Sequence, residues 1–123
     1  MKPVDDAKTA AQKAKARGGY PHVLNGGAAR DKASAMDAIA EALSFPEWFG
    51  RNLDALYDCL TDLDWLPTGE HVLIWAGSDA LKEADPRAYL SIRSVLSDAQ
   101  RALSPGGDRA ANRRYLTVVL TES

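Results

Sequence analysis

Phe45-Pro46-Glu47-Trp48-Phe49-Gly50-Arg51-Asn52-Leu53-Asp54-Ala55-Leu56-Tyr57-Asp58-Cys59-Leu60-Thr61-Asp62-Leu63 reads as an aromatic turn running into a helix. Leu53, Leu56, Leu60 and Leu63 recur at helical spacing and define the stripe that such a helix buries. Asp54, Asp58 and Asp62 lie off that stripe at i, i+4 and i+8 with no cation between them, an arrangement that destabilises an isolated helix. The row asks for a positive partner. On residue type alone that partner is a metal, a basic protein or nothing beyond solvent, since charge runs are ordinarily solvated faces.

Outward from this segment the pattern alternates between strand and helix. Before it, His22-Val23-Leu24 closed by Asn25-Gly26-Gly27 predicts a strand ending in a turn. Ser34 stands where it caps a helix through Leu43, with Met36, Ile39, Ala40 and Leu43 on one face and Phe45-Pro46 as the stop. After it, Val72-Leu73-Ile74-Trp75 lacks alternation, the mark of a strand covered by helices. Asp79 to Asp85 is a loop or a short helical turn. Pro86 opens a helix carrying Tyr89, Ile92, Val95, Leu96, Ala99 and Leu103, which Pro105-Gly106-Gly107 ends, and Tyr115 to Thr121 supplies a last strand. The order β-α-α-β-α-β calls for right-handed crossovers and a small parallel sheet, so the class is α/β.

Residues 1–19 are rich in Ala and Lys and nearly devoid of large apolar side chains, so they read as a basic, mobile arm with transient helix over 9–16. Residues 20–123 form the domain. A chain of 123 residues is one domain's worth and buries enough surface to fold alone. The single cysteine, Cys59, rules out an internal disulfide and fits a reducing compartment. No apolar run is long enough to span a bilayer, and the N-terminus lacks a hydrophobic signal region, so the chain is expected in the cytoplasm, away from membranes. Residues 46–98 hold ten acidic groups against four basic ones. That segment repels a nucleic-acid backbone, speeds encounter with a basic protein, and argues for a free protein that is monomeric.

No catalytic set stands out. His22 and His71 have no recognisable motif around them and read as solvated or strand-edge residues, and there is no nucleophile elbow or phosphate-binding glycine loop. Carboxylates in a straight helical line do not surround a divalent ion, Cys59 has no companion at zinc-ligand spacing, and no cofactor is called for. Cys59 reads instead as a small packed hydrophobe. Protein recognition fits better: Trp48, Phe49 and Tyr57 flank the acids, and aromatics beside charge are common at interface centres. Pro46 and Gly50 bracket a turn that presents Trp48 outward, whereas Phe49 suits the core equally well.

Pro46 to Thr61 resembles the signature of the barstar family of intracellular ribonuclease inhibitors, Pro-Glu-Tyr-Tyr-Gly-x-Asn-Leu-Asp-Ala-Leu-Trp-Asp-Cys-Leu-Thr. Trp48, Phe49 and Tyr57 are aromatic-for-aromatic exchanges and Arg51 fills the variable place. Val23-Leu24-Asn25-Gly26, Val72 to Trp75, Val95 to Ala99 and Leu116 to Leu120 extend the likeness over residues 20–121. It implies a three-stranded parallel β-sheet packed against α-helices, and a non-catalytic protein that blocks a barnase-like, guanyl-type secreted ribonuclease with its second helix and the preceding loop. Asp58 falls at the family's inhibitory aspartate and Asp54 at the supporting carboxylate one turn earlier. Trp48 stands where an aromatic stacks on the catalytic histidine. Gly50, Asn52, Ala55, Tyr57 and Thr61 match neighbouring contacts, and Asp98 a more distant acidic one, where the longer Glu is common. The chain departs from the family at Asp62-Leu63-Asp64-Trp65, where Trp65 either replaces an aromatic at the helix end or leaves it unfilled, and at Phe49, which lacks the Tyr hydroxyl. An immunity or regulatory protein aimed at another basic partner is the alternative on the same scaffold.

Overall fold

The computed structural model describes residues 6–122. Its elements are α1 (Ala7–Ala16), β1 (Tyr20–Asn25), α2 (Lys32–Ala42), α3 (Leu53–Asp62), β2 (Gly69–Ala76), α4 (Asp79–Ala84), α5 (Pro86–Leu103), a 3-10 turn (Ala110–Asn112) and β3 (Arg114–Thr121). The strands form one parallel sheet in the order β1-β2-β3, with Leu24, Trp75 and Leu120 in register. This is the α/β architecture that the alternation of patterns predicts.

Side chains alternate across a strand, so each face of the sheet has its own cover. Leu24, Leu73, Trp75 and Leu116 join the main core with Met36 and Ile39 of α2, Leu56 and Leu60 of α3, and Ile92, Leu96 and Leu103 of α5. Val72 and Ile74 face the other way, onto Ala10 and Ala14 of α1. The helix ends follow ordinary capping chemistry. Asp31 caps α2 in a reciprocal box with Ser34, three residues earlier than Ser34 alone suggests. Pro86 occupies the first turn of α5, and the Asp85 side chain accepts from the Ala88 amide.

The first helix overturns the expectation of a mobile arm for residues 7–16. Asp6 caps it by accepting from the Thr9 amide at 2.8 Å, and Ala14 is fully buried. Arg17 then donates from Nε and Nη2 to the two Glu70 carboxylate oxygens at 2.9 and 3.0 Å, fixing the helix exit to β2. Composition misled because the apolar surface in this contact belongs to the sheet. Small Ala side chains one turn apart let a helix lie close on Val72 and Ile74, which a parallel sheet otherwise leaves bare. Residues 1–5 of the predicted arm lie outside the described residues.

Candidate functional site

The aromatic turn and α3 are held as one rigid ledge. Asn52 has extended backbone and its side-chain oxygen accepts from the Ala55 amide at 2.8 Å, so it starts α3 as an N-cap. At the far end Leu63 adopts the left-handed conformation, φ 51°, and Asn112 donates from Nδ2 to the Thr61 and Asp62 carbonyls at 3.0 and 2.7 Å. Those carbonyls are among the unpaired groups that every helix end leaves. Between these ends Leu56, Cys59 and Leu60 are buried. The remaining face of α3 looks outward.

That face carries the acids. Asp54 and Asp58 are exposed, and among the described residues neither carboxylate makes a hydrogen bond or an ion pair. No described cation therefore neutralises their charge. Asp54 lies in the first turn of α3, where the helix dipole favours it, whereas Asp58 gains nothing from that source. The chemistry of Cys59 responds to the same field: burial, then the nearby charges of Asp62 and Asp58, push its thiol up and leave it inert.

The turn is anchored from three sides. Phe45 meets Phe49 edge-on with ring centres 5.0 Å apart and Trp65 edge-on at 5.9 Å. Trp65 donates its indole N–H to the Leu43 carbonyl at 3.0 Å. Arg51, at the variable place of the motif and in the left-handed region with φ 54°, reaches back to Asp37 of α2 at 2.9 Å. Trp48 is the exception, 68 % exposed and stacked on no ring among the described residues. Phe49 thus belongs to the core and Trp48 to the surface.

The remaining candidates divide. Gly50 is exposed, and a Cβ there would stand 3.3 Å from the capping amide of Asn52 and 3.5 Å from the Ala55 methyl. Ala55 and Tyr57 are half-buried beside the acids, and Tyr57 shares a shallow polar pocket of about 250 Å³ with Asp98, Arg101 and Asp108. Asp98 is exposed but paired to its own Arg101, one turn along α5. Thr61 is a correction: it is fully buried and its hydroxyl donates to the Tyr57 carbonyl at 2.9 Å, so it offers no surface to a partner. Trp65 packs inward and holds the end of α2 instead of extending the exposed face. Sequence reading missed the supports Asp37, Arg51 and Asn112. Each acts through a contact 14 or more residues away, which no local spacing reveals.

An acidic helix with no counter-charge among the described residues, beside an exposed tryptophan on a fixed frame, gives this α/β domain a surface suited to a basic protein. The family model described as Barstar (barnase inhibitor) matches residues 20–121, and the chain belongs to that family. A stretch of 31 residues is also 55% identical to "Putative ribonuclease inhibitor YrdF" of Bacillus subtilis (strain 168), covering 25% of this chain and 34% of that protein. The match thus spans about a third of the length of that relative. Among the described residues no helix is long and apolar enough to cross a membrane, and no cluster of three or more His, Cys, Asp or Glu is arranged to hold a metal ion.

Proposed function

We propose that this protein is a cytoplasmic inhibitor of a guanyl-type secreted ribonuclease, and that the exposed face of α3 enters the enzyme's active site. The observation that carries the reading is the pair Asp54 and Asp58, exposed and with no ion pair among the described residues, next to Trp48. A ribonuclease cleft is lined with cationic groups that hold phosphodiester oxygens. A stiff row of carboxylates presents the same charge with no bond to cleave. Asp58 fills the phosphate-binding position, Asp54 supports it from one turn earlier, and Trp48 stacks on an enzyme imidazole. Gly50, Asn52, Ala55 and Tyr57 line the contact. Asp98 joins it by exchanging Arg101 for a cation of the enzyme, which costs little because surface pairs contribute roughly 0–1 kcal/mol. Thr61 acts from below by holding the Tyr57 carbonyl.

The family membership and the ribonuclease-inhibitor name of the relative both favour a non-catalytic role. Titration of this protein against a panel of microbial ribonucleases, with an RNA mononucleotide as competitor, tests the reading. Inhibition that the mononucleotide relieves supports it. A panel with no inhibition points instead to an immunity protein for a toxin of another kind.

A further inference from the structure

The two histidines face each other behind the sheet edge, in a chain of contacts that cannot be completed with neutral rings. His71 is fully buried on β2 and His22 is half-buried on β1. His22 Nδ1 lies 3.2 Å from the Ala42 carbonyl, His22 Nε2 lies 3.0 Å from His71 Nδ1, and His71 Nε2 lies 2.7 Å from the Pro67 carbonyl. A carbonyl only accepts, so each outer nitrogen must carry a hydrogen to bond. The central contact needs one hydrogen as well. Three protons are required, and two neutral imidazoles bring two.

The proton count gives the pair three distinct states. When neutral, it leaves one contact as lone pair against lone pair, and the longest, His22 to Ala42, is the one that gives way. With one added proton every contact is a hydrogen bond and the charge is shared between the rings. A second proton puts two N–H groups head-on across the 3.0 Å contact, which must open. Ala42 is the last residue of α2, and the left-handed Ser44 that begins the Trp48 turn follows two positions on.

We propose that His22 and His71 form a one-proton latch on the C-terminal end of α2: a single shared proton closes it, and a second forces it open. The latch belongs to the frame of the domain and holds whether or not the partner is a ribonuclease. Its surroundings set the pH at which it works. From β1 the Tyr20 ring stacks on His71 with centres 5.0 Å apart, and from β3 the Arg114 guanidinium repels a charge on His71. From α2 and from the loop before β2 the rings meet main-chain carbonyls, of which the α2 terminus favours a cation. Burial, opposed in part by those carbonyls, holds both rings below the ordinary value of 6.5, and a charge on His71 depresses His22 further. As pH falls below 6.5, an unfolded chain takes up two protons where the closed pair has room for one. Folding therefore weakens in that window, by up to about tenfold in the equilibrium constant per pH unit for each excess proton.

Imidazole nitrogen NMR of the full chain between pH 8 and pH 4 is the test, with the backbone amides of residues 43–45 followed in the same samples. The latch predicts two coupled steps. The first has one midpoint common to both rings, below 6.5, and moves the amides at the end of α2; the second lies more than about one pH unit lower. In His22→Gln the remaining His71 titrates in one step and those amides stop following it. If that variant does not fold, the wild-type titration decides alone. Two rings titrating independently at about the ordinary value, or amides at 43–45 that ignore the first step, would overturn the latch.

Discussion

Trp48 exposes 68 % of its surface in a chain whose other two tryptophans are packed, and truncating it separates recognition from folding. An aromatic side chain of this kind buries roughly 150–250 Å² when fully enclosed. The exposed share still available to a partner is then about 100–170 Å². At about 25 cal/mol per Å² the contact contributes at most roughly 2.5–4 kcal/mol to binding, or up to about two to three orders of magnitude in affinity. Folding should scarcely notice, because Trp48 belongs to neither core cluster and surface substitutions ordinarily stay within roughly 0.5 kcal/mol. The assay is a paired one: inhibition constants for Trp48→Ala and the wild type against a responsive ribonuclease, and urea unfolding of the two free proteins. A Trp48→Ala that binds as well as the wild type refutes the reasoning. So does one destabilised by more than about 1 kcal/mol, since Trp48 would then belong to the fold.

Other parts of the ledge and its frame give outcomes that differ in kind. Asn52→Ala removes the N-cap of α3 and should cost about 1 kcal/mol of stability, read as a fall of roughly 3–5 °C in Tm, while Asn52→Gly costs a few tenths. Equal losses for the two variants would show that the cap is not what Asn52 supplies. Ala14→Glu places a carboxylate at a fully buried helix position against Val72 and Ile74. Helix α1 should undock and expose Lys13, Lys15 and Arg17 to trypsin while β1 to β3 stay folded; unchanged cleavage would mean that the helix does not rest on the sheet. Glu70 is held below the ordinary value of 4.5 by hydrogen bonds from Arg17, first, and Thr117. Its folded-state value is the lower one, so its contribution is present above pH 4.5 and is lost as pH falls through the folded value. Helix α1 should therefore loosen in acid in the wild type, read from the amide NMR signals of residues 7–17, and show no such dependence in Glu70→Gln.

Much of the molecule was legible from residue order because local rules and tertiary needs agree. The leucine spacing of α3, Pro86 at the head of α5 and the unbroken apolar run of β2 each point to the element that forms. The Pro46–Gly50 bracket likewise presents Trp48, whereas Phe49, open between core and surface on sequence, is turned inward by its packing on Phe45. Failures came where the deciding partner is remote in sequence. Helix α1 forms because Val72 and Ile74 need a cover, which its own composition cannot announce. Thr61 sits in the motif beside exposed acids, yet its place on the turn sends it inward to bond the Tyr57 carbonyl. His22 and His71 look like isolated strand residues until parallel pairing of β1 with β2 brings their rings together.

Asp58→Ala, measured for affinity and melting in the same preparation, bears on the whole scheme. In the free protein it removes two repulsive contacts, those of Asp58 with Asp54 and Asp62 one turn to either side, so Tm should hold or rise slightly. In the complex it leaves cationic enzyme groups buried without a counter-charge, which costs about 3–5 kcal/mol, or roughly two to three and a half orders of magnitude in affinity. The predicted result is a protein at least as stable as the wild type that has lost most of its grip on the ribonuclease. An Asp58→Ala variant that inhibits undiminished, or whose loss of inhibition tracks a fall in Tm, would contradict it.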